Sequence, residues 1–138
     1  MSRVLGIDFG RKRVGIAVTD PLRIIASPLE VVLEKEFKLW LKNYLEKEEV
    51  ITIVLGFPRR LNGDDTHITK DVLLLESYLK NEYPSLKVVL VDERLTSKMA
   101  RQSLIDSGVP KNQRKKKGSL DSVSASLILQ TYLSSTND

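Results

Sequence analysis

Three carboxylates at well-separated positions of the chain are of the type that binds a hard metal ion. Asp8 ends an apolar segment between two glycines, Glu93 follows another apolar segment, and Asp121 lies near the start of a stretch with helical periodicity. Oxygen-only ligand sets favour Mg²⁺ or Mn²⁺, and Mg²⁺ is usually held by one or two carboxylates together with substrate phosphate oxygens. The residues therefore suggest metal-assisted phosphate chemistry, in which a bound ion activates water or stabilises the leaving oxygen.

Each acid also has an ordinary structural explanation. A lone aspartate such as Asp8 at a strand end is often a turn or capping residue, and the helix macrodipole favours an acid in a first turn by roughly 0.3 to 1 kcal/mol. The residues alone allow two interpretations: a shared metal site, or three acids with unrelated structural roles. The single histidine, His67, lies in a polar stretch and is interpreted as a surface residue, while the lack of cysteine excludes a thiolate zinc site and a cysteine nucleophile.

Positive charge is concentrated in one segment, residues 111–117. The chain carries 22 Lys and Arg against 18 Asp and Glu, and this segment holds five of the positive charges and no negative one. Without those five the balance is 17 positive against 18 negative, so the rest of the chain is nearly neutral. The segment is either a basic loop that contacts a polyanion or an ordinary solvated loop.

Length and composition predict one cytoplasmic domain over residues 1–138. A chain of 138 residues can bury roughly 68% of the surface that its unfolded form exposes. No apolar run approaches the ~18 residues of a membrane span, and the first residues lack the apolar centre of a signal peptide. The absence of cysteine fits a reducing compartment.

The hydrophobic pattern predicts an α/β fold with a mixed sheet. The predicted elements are strands over 3–9, 14–19 and 24–33, a helix over 34–49, a strand over 51–56, a helix through 68–79, a strand over 86–91, a helix from Thr96 to Gly108, and a last helix capped by Ser119 with Asp121 in its first turn. Residues 10–13 join the first two strands as a hairpin turn. Antiparallel strands followed by alternating strands and helices favour helices on the faces of one mixed sheet.

The chain resembles the YqgF/RuvX family in five separated blocks that occur in the family's order. The blocks are residues 6–10, 12–18, 26–30, 54–58 (with Gly63 after it) and 92–96, and Asp121 is followed by Ala125, Ile128, Leu129 and Leu133. The most specific are the Asp-Glu-Arg-Leu-Thr block at 92–96 and the N-terminal strand pair. The resemblance covers nearly the whole chain.

The resemblance implies a ribonuclease H-like fold, with a five-stranded mixed sheet whose first three strands are antiparallel and with helices on both faces. It also implies a catalytic and metal-binding site made of Asp8, Glu93 and Asp121 that uses Mg²⁺ or Mn²⁺. Relatives are described as nucleases that mature the 5′ end of pre-16S rRNA or as Holliday junction resolvases. The choice of substrate rests on this resemblance alone.

Seven basic residues are candidates for contacts with nucleic-acid phosphates. They are Lys12, Arg13, Arg94, Arg114, Lys115, Lys116 and Lys117. Arg94 is equally placed to pair with Asp92. No aromatic residue interleaves with the basic segment, so a platform for base stacking is not expected, and binding should depend on backbone phosphates and weaken with salt.

The leading hypothesis is a metal-dependent nuclease of ribosome biogenesis that acts on pre-16S rRNA, as a monomer or weak homodimer without a membrane partner. One alternative is Holliday junction resolution in DNA recombination, which usually needs a symmetric dimer. A second is a non-catalytic RNA-binding factor of ribosome assembly. An actin-like ATP phosphotransferase is disfavoured, because such proteins need two lobes and 138 residues make one.

Overall fold

The computed structural model describes residues 2–57, 67–92 and 117–136, without the side chains of 67–68, 117–122 and 136. Residues 58–66, the predicted helix from Thr96 to Gly108 and most of the basic segment lie outside these residues. The described elements are β1 (Arg3–Phe9), β2 (Arg13–Thr19), β3 (Ala26–Leu33), α1 (Glu34–Lys47), β4 (Val50–Phe57), α2 (His67–Glu82), β5 (Lys87–Asp92) and α3 (Lys117–Thr136).

The five strands form one mixed sheet in the order β3-β2-β1-β4-β5. β1 pairs antiparallel with β2, and β2 pairs antiparallel with β3. β4 runs parallel to β1, and β5 runs parallel to β4. The expectation of a five-stranded mixed sheet with three antiparallel strands first is confirmed. Because β1, β4 and β5 are parallel, their carboxyl ends meet at the same edge of the sheet, here called the carboxyl edge.

Alternating side chains of the strands build a core on each face of the sheet. One face packs against α1 and α2 through large aliphatic and aromatic residues: Leu5, Ile7, Val14, Ile16, Phe37, Leu41, Val50, Ile53, Leu55, Val72, Leu75 and Leu79. The other face packs against α3 through a smaller set: Val4, Ala17, Val54, Ala125, Ile128 and Leu129. The helices therefore cover both faces, as expected, and among the described residues the buried side chains under α3 are fewer and smaller.

Gly6 lets α3 approach β1 closely. A Cβ atom added at Gly6 would lie 2.8 Å from the Leu129 Cβ and 2.9 Å from the Ala125 carbonyl oxygen. Contacts under 3 Å are not tolerated by real Cβ atoms, so only glycine permits this separation. The contact fixes the height of α3 above the middle of the sheet.

α3 runs antiparallel to β1. The backbone N–H of Ala26, which pairs with Thr19 near the amino end of β1, donates to the Gln130 side-chain oxygen at 3.4 Å. Ala125, nearer the start of the helix, lies instead over Gly6, farther along β1. The first turns of α3 therefore lie toward the carboxyl edge.

β3 begins two residues later than the sequence predicts because Asp20 captures the preceding backbone in a turn. The Asp20 carboxylate accepts hydrogen bonds from the N–H groups of Leu22 at 3.2 Å, Ile24 at 2.9 Å and Ile25 at 2.8 Å. These donors are unavailable to a strand ladder, since each is already bonded to the carboxylate. The apolar side chains of Ile24 and Ile25 thus predict a strand, but both residues lie exposed in the turn.

Asp20→Ala is expected to destabilise the protein near neutral pH and to have less effect in acid. The hydrogen bond from Ile25, together with those from Ile24 and Leu22, lowers the pKa of Asp20 below its usual value. A carboxylate with a lowered folded-state pKa stabilises the fold above its unfolded pKa of about 3.9, and loses that effect as the pH falls through the lowered pKa. Urea unfolding from neutral to acid pH checks this; a difference between wild type and variant that is the same at every pH would contradict it.

α3 begins at Lys117, so two predictions for it are wrong. Ser119 lies inside the first turn instead of capping it, and Asp121 is the fifth helical residue, in the second turn. Serine is a frequent cap, but here helical backbone extends two residues before it.

β3 lies at an edge of the sheet and carries two features that disfavour pairing with another chain. Ile16 is opposite Glu30 and Ala17 is opposite Pro28, so Leu29 is an extra residue in a bulge. Pro28 lacks a backbone N–H. Bulges and prolines are common devices that protect sheet edges. Among the described helices, none has the length and apolarity needed to cross a bilayer.

Candidate active site at the carboxyl edge

Asp8 lies at the carboxyl edge on the α3 face of the sheet. Leu5 and Ile7 belong to the core under α1 and α2, whereas Val4 belongs to the core under α3. Because successive strand residues point to opposite faces, Asp8 shares the face of Val4 and Gly6. Asp8 is half-buried. β1 therefore carries a carboxylate from the centre of the sheet to a partly solvated edge.

The residues beside Asp8 on the neighbouring strands are glycines. Asp8 pairs with Gly15 of β2, and the register of Ile7 with Leu55 places Gly56 of β4 next on the other side. Neither neighbour contributes a side chain on the Asp8 face. Space at the level of the carboxylate is thus left for ligands other than adjacent strand residues.

The fold brings the backbone of Asp121 toward the same edge and face. Ala125 contacts Gly6, and Asp121 precedes Ala125 by four residues, about 6 Å along a helix. Asp8 follows Gly6 by two residues, about 6.6 Å along a strand. Because α3 is antiparallel to β1, the step back along α3 from Ala125 to Asp121 and the step forward along β1 from Gly6 to Asp8 both lead toward the carboxyl edge. Positions 8 and 121 therefore lie near each other across the sheet–helix interface.

Glu93, the third predicted acid, lies outside the described residues. β5 ends at Asp92, which is exposed and pairs with Phe57 of β4. Glu93 is the next residue in the sequence after Asp92. No group of three potential metal ligands occurs among the described side chains, and of the three predicted acids only the Asp8 side chain is described. The three-acid site stays a prediction.

The hairpin turn of residues 10–13 places basic side chains beside Asp8. The Gly10 N–H donates to the Arg13 carbonyl oxygen at 3.0 Å, and an added Cβ at Gly10 would lie 2.6 Å from that oxygen, so the turn requires glycine. The Glu34 N–H donates to the Lys12 carbonyl oxygen at 2.8 Å and ties the turn to α1. Lys12 and Arg13 are exposed.

Of the other predicted phosphate contacts, Arg94, Arg114, Lys115 and Lys116 lie outside the described residues. Lys117 is the first residue of α3, and only its backbone is described. Arg11 is exposed in the hairpin turn and belongs with Lys12 and Arg13, although the sequence analysis did not select it. The position of Arg11 directly before Lys12 and Arg13 in the sequence could have identified it as a candidate. The candidate phosphate-binding side chains that the structure describes thus come from one hairpin turn, which follows Asp8 in the chain.

A family model described as "RuvX: Holliday junction resolvase" matches residues 2–135. The chain belongs to the RuvX family. This RuvX-family chain is 44% identical over 135 residues to a protein of Flavobacterium johnsoniae named "Putative pre-16S rRNA nuclease", with 98% of each chain covered. It is 40% identical to a protein of the same name from Phocaeicola vulgatus, covering 98% of this chain and 97% of the relative. The resemblance inferred from the sequence is confirmed.

Solved structures confirm the fold of the RuvX-family chain. The fowlpox virus resolvase in complex with substrate Holliday junction DNA aligns with a TM-score of 0.58 and 13% identity, over 99% of each chain. Thermus thermophilus RuvC in complex with a Holliday junction substrate aligns with a TM-score of 0.57 and 16% identity, over 98% of this chain and 96% of that one. The RuvX-family chain has the ribonuclease H-like fold of these resolvases.

Proposed function

We propose that this RuvX-family protein is a nuclease that hydrolyses phosphodiester bonds in pre-16S rRNA and depends on Mg²⁺ or Mn²⁺. The observation that carries the proposal is the convergence of Asp8 and Asp121 on one edge and one face, through the contact of Gly6 with Ala125. Relatives with 40 to 44% identity support the RNA substrate by their names. A ribosomal precursor as substrate also supports action in the cytoplasm.

In this proposal Asp8 is the central metal ligand, and Glu93 and Asp121 complete the site. The donors fit the ions, because carboxylate oxygens are the ligands that Mg²⁺ and Mn²⁺ prefer. A bound ion at this position supplies charge stabilisation and an activated water. Asp8 anchors the site because β1 is flanked by paired strands on both sides, and the glycines on either side leave the carboxylate accessible.

Lys12 and Arg13 are proposed to hold phosphates next to the scissile bond. Both are exposed on the turn that follows Asp8, and the hydrogen bond between Glu34 and Lys12 restrains the backbone of that turn. Basic side chains that bind phosphates fix the register of the strand without reading its sequence. The charged segment with Arg114, Lys115, Lys116 and Lys117, together with Arg94, is proposed to extend this contact.

The double variant Lys12→Gln/Arg13→Gln is expected to weaken RNA binding and to reduce its dependence on salt. Each lost phosphate contact lowers the slope of log affinity against log salt by roughly 0.7 for single strands and 0.9 for duplexes. Binding titrations at several salt concentrations in chelator measure this. Lys47→Gln/Lys87→Gln, which removes the same charge from the ends of α1 and β5, is the control; an equal loss in the two double variants would contradict a specific role for the turn.

The decisive experiment offers the protein two substrates in parallel: a pre-16S rRNA fragment and a four-way DNA junction, each with Mg²⁺, Mn²⁺ or chelator. Cleavage of the RNA alone, lost in chelator, is the expected result. Holliday junction resolution is the second candidate, because the matching family model carries that description. Symmetric nicking of the junction alone, by a dimer, would favour it, whereas binding without any cleavage would favour an RNA-binding assembly factor.

The oligomeric state is proposed to be a monomer or a weak homodimer. The bulge at Leu29 and the proline at position 28 support this, because they disfavour dimerisation through the free edge of β3. Sedimentation with and without junction DNA tests the proposal, and a stable dimer in the absence of nucleic acid would contradict it.

A further inference from the structure

A cleft of about 460 Å³ lies on the opposite face of the sheet from Asp8, at the same carboxyl edge. Its walls come from the end of β1, the hairpin turn, α1 and α2. The lining residues are Phe9, Arg11, Glu34, Phe37, Lys38, Asp71, Leu74, Leu75 and Tyr78. Phe9 follows Asp8 directly in β1, so the cleft and the proposed metal ligand lie on the two sides of one strand end.

The walls of the cleft combine aromatic and aliphatic surface. The half-buried ring of Phe9 meets the buried ring of Phe37 edge to face, with centroids 6.1 Å apart and planes at 67°, so Phe9 offers the surface and Phe37 supports it. Leu74 lines the cleft and is 69% exposed. Such a wall offers apolar surface to a flat ring, since aromatic and aliphatic side chains are the common partners of unstacked bases.

The charged groups of the cleft are of both signs. Lys38 places its ammonium 4.2 Å from the centroid of the Tyr78 ring, and Arg11 belongs to the exposed hairpin turn. Glu34 and Asp71 supply carboxylates. Cations suit a phosphate, and carboxylates accept hydrogen bonds from the amino group of a base such as cytosine. A nucleotide carries both kinds of group as well as an apolar ring face.

We propose that this cleft binds an unpaired nucleotide of the RNA strand next to the scissile phosphate; this rests on the proposed function of the Asp8 site. Arg11 connects the two places, because it lines the cleft and belongs to the turn that carries Lys12 and Arg13. A strand whose phosphates follow the turn passes from the Asp8 face to the mouth of the cleft. The protein therefore favours substrates with a single-stranded segment beside the cleavage position over fully paired ones.

The sequence predicts no platform for bases, because no aromatic residue lies within the basic segment. The cleft arises from Phe9, Phe37 and Tyr78, which belong to β1, α1 and α2. Only the packing of the helices on the sheet brings these three residues together.

The test compares two exposed leucines on the helices of this face. Leu74 lines the cleft and is 69% exposed, whereas Leu39 of α1 is 65% exposed and does not line it. Affinity is measured in chelator for an RNA hairpin with a short single-stranded 5′ extension and for the same hairpin with a blunt end. Leu74→Glu is expected to weaken binding of the extended hairpin by roughly tenfold, the scale of one lost base contact, and to weaken the blunt hairpin no more than Leu39→Glu does.

Two further variants test the ring and the charge of the cleft. Tyr78→Leu is expected to lower affinity for the extended hairpin, and Lys38→Gln, which removes the ammonium over that ring, is expected to lower the salt slope by about 0.7. Equal effects of Leu74→Glu and Leu39→Glu on both hairpins would overturn the proposal. So would calorimetric binding of free nucleoside monophosphates that is lost in Leu74→Glu while the extended hairpin binds normally, because the cleft would then serve a free nucleotide.

These measurements are independent of cleavage. They are made without metal, and Asp8→Asn protein should retain the preference for the extended hairpin. A protein that cleaves RNA but shows no such preference would contradict the cleft proposal and leave the proposed nuclease function in place. A protein that keeps the preference but never cleaves would leave the cleft in place and count against the nuclease.

Discussion

Asp8→Asn is expected to lower the rate of metal-dependent RNA cleavage by about 10³-fold or more. A bound divalent ion supplies several kcal/mol of transition-state stabilisation, and each 1.36 kcal/mol is a factor of ten in rate. Asparagine keeps the size of the side chain but removes the charge that attracts the ion. Single-turnover rates with Mg²⁺ and Mn²⁺, together with calorimetric titration of Mn²⁺ into the protein, measure the loss of chemistry and of metal binding.

The matched control is Asp92→Asn, which neutralises a carboxylate at the end of β5 on the same edge. Asp92 is exposed and is not one of the proposed ligands, so its variant is expected to change the rate by less than about tenfold. The melting temperatures of Asp8→Asn and wild-type protein are compared as well, so that a loss of activity is distinguished from a loss of folding. Retained metal-dependent cleavage in pure Asp8→Asn protein would show that the metal is held elsewhere.

Gly6→Ala is expected to lower the free energy of unfolding by about 1 to 3 kcal/mol, the usual cost of overpacking. The new Cβ would meet the Leu129 Cβ and the Ala125 carbonyl oxygen at under 3 Å. Neither atom is the flexible end of a side chain, so α3 must shift as a unit. Without a clash, a glycine-to-alanine change stabilises a protein by roughly 0.4 to 1 kcal/mol, because it lowers the conformational entropy of the unfolded chain. A measured decrease in the free energy of unfolding would therefore be due to the clash.

Urea unfolding followed by tryptophan fluorescence measures this change. Trp40 is the only tryptophan, stacks on Tyr44 with ring centroids 5.0 Å apart and donates to Glu30 at 2.8 Å, so it reports the packing of α1 on the sheet. Ser27→Ala, at an exposed position of β3, is the control and should be nearly neutral. Unchanged or increased stability of Gly6→Ala would mean that α3 is held loosely over β1.

Cleavage by Gly6→Ala protein is informative under conditions where it is still folded. A shifted α3 moves position 121 relative to Asp8, because the contact of Gly6 with Ala125 sets the placement of α3 on β1. Misplacement of a catalytic group by about 1 Å can cost on the order of 10²-fold in rate. A stable, folded variant with unchanged activity would argue against a role for Asp121.

The part of the fold that sequence could predict is the part decided by local pattern. The strand pair around Gly10, the apolar strands and the helix through Phe37 and Leu41 all follow from hydrophobic period and turn residues. The hydrophobic pattern gave a wrong strand boundary where a polar side chain bound the backbone. Asp20 withholds the N–H groups of Ile24 and Ile25 from the sheet, although both residues have strong strand preference.

For the candidate site, sequence could predict which residues have suitable chemistry but not their distances. Asp8 was identifiable because a charged residue ended an otherwise apolar strand. That positions 8 and 121 lie at one edge and on one face depends on Gly6 and on the antiparallel course of α3, and neither is visible in a hydrophobic pattern. The cleft beside Phe9 could not be predicted for the same reason: its walls come from three distant parts of the chain.

The central position of β1 has a consequence for how long the site persists in a fluctuating molecule. Two strands lie on one side of β1 and two on the other, so its amide hydrogens exchange with solvent only through openings that disrupt most of the sheet. α3 is positioned over β1 by the close approach at Gly6, where an added Cβ would lie 2.8 Å from the Leu129 Cβ. Asp8 therefore keeps its place for the lifetime of the native state, whereas position 121 keeps its place near Asp8 only while α3 is docked on the sheet.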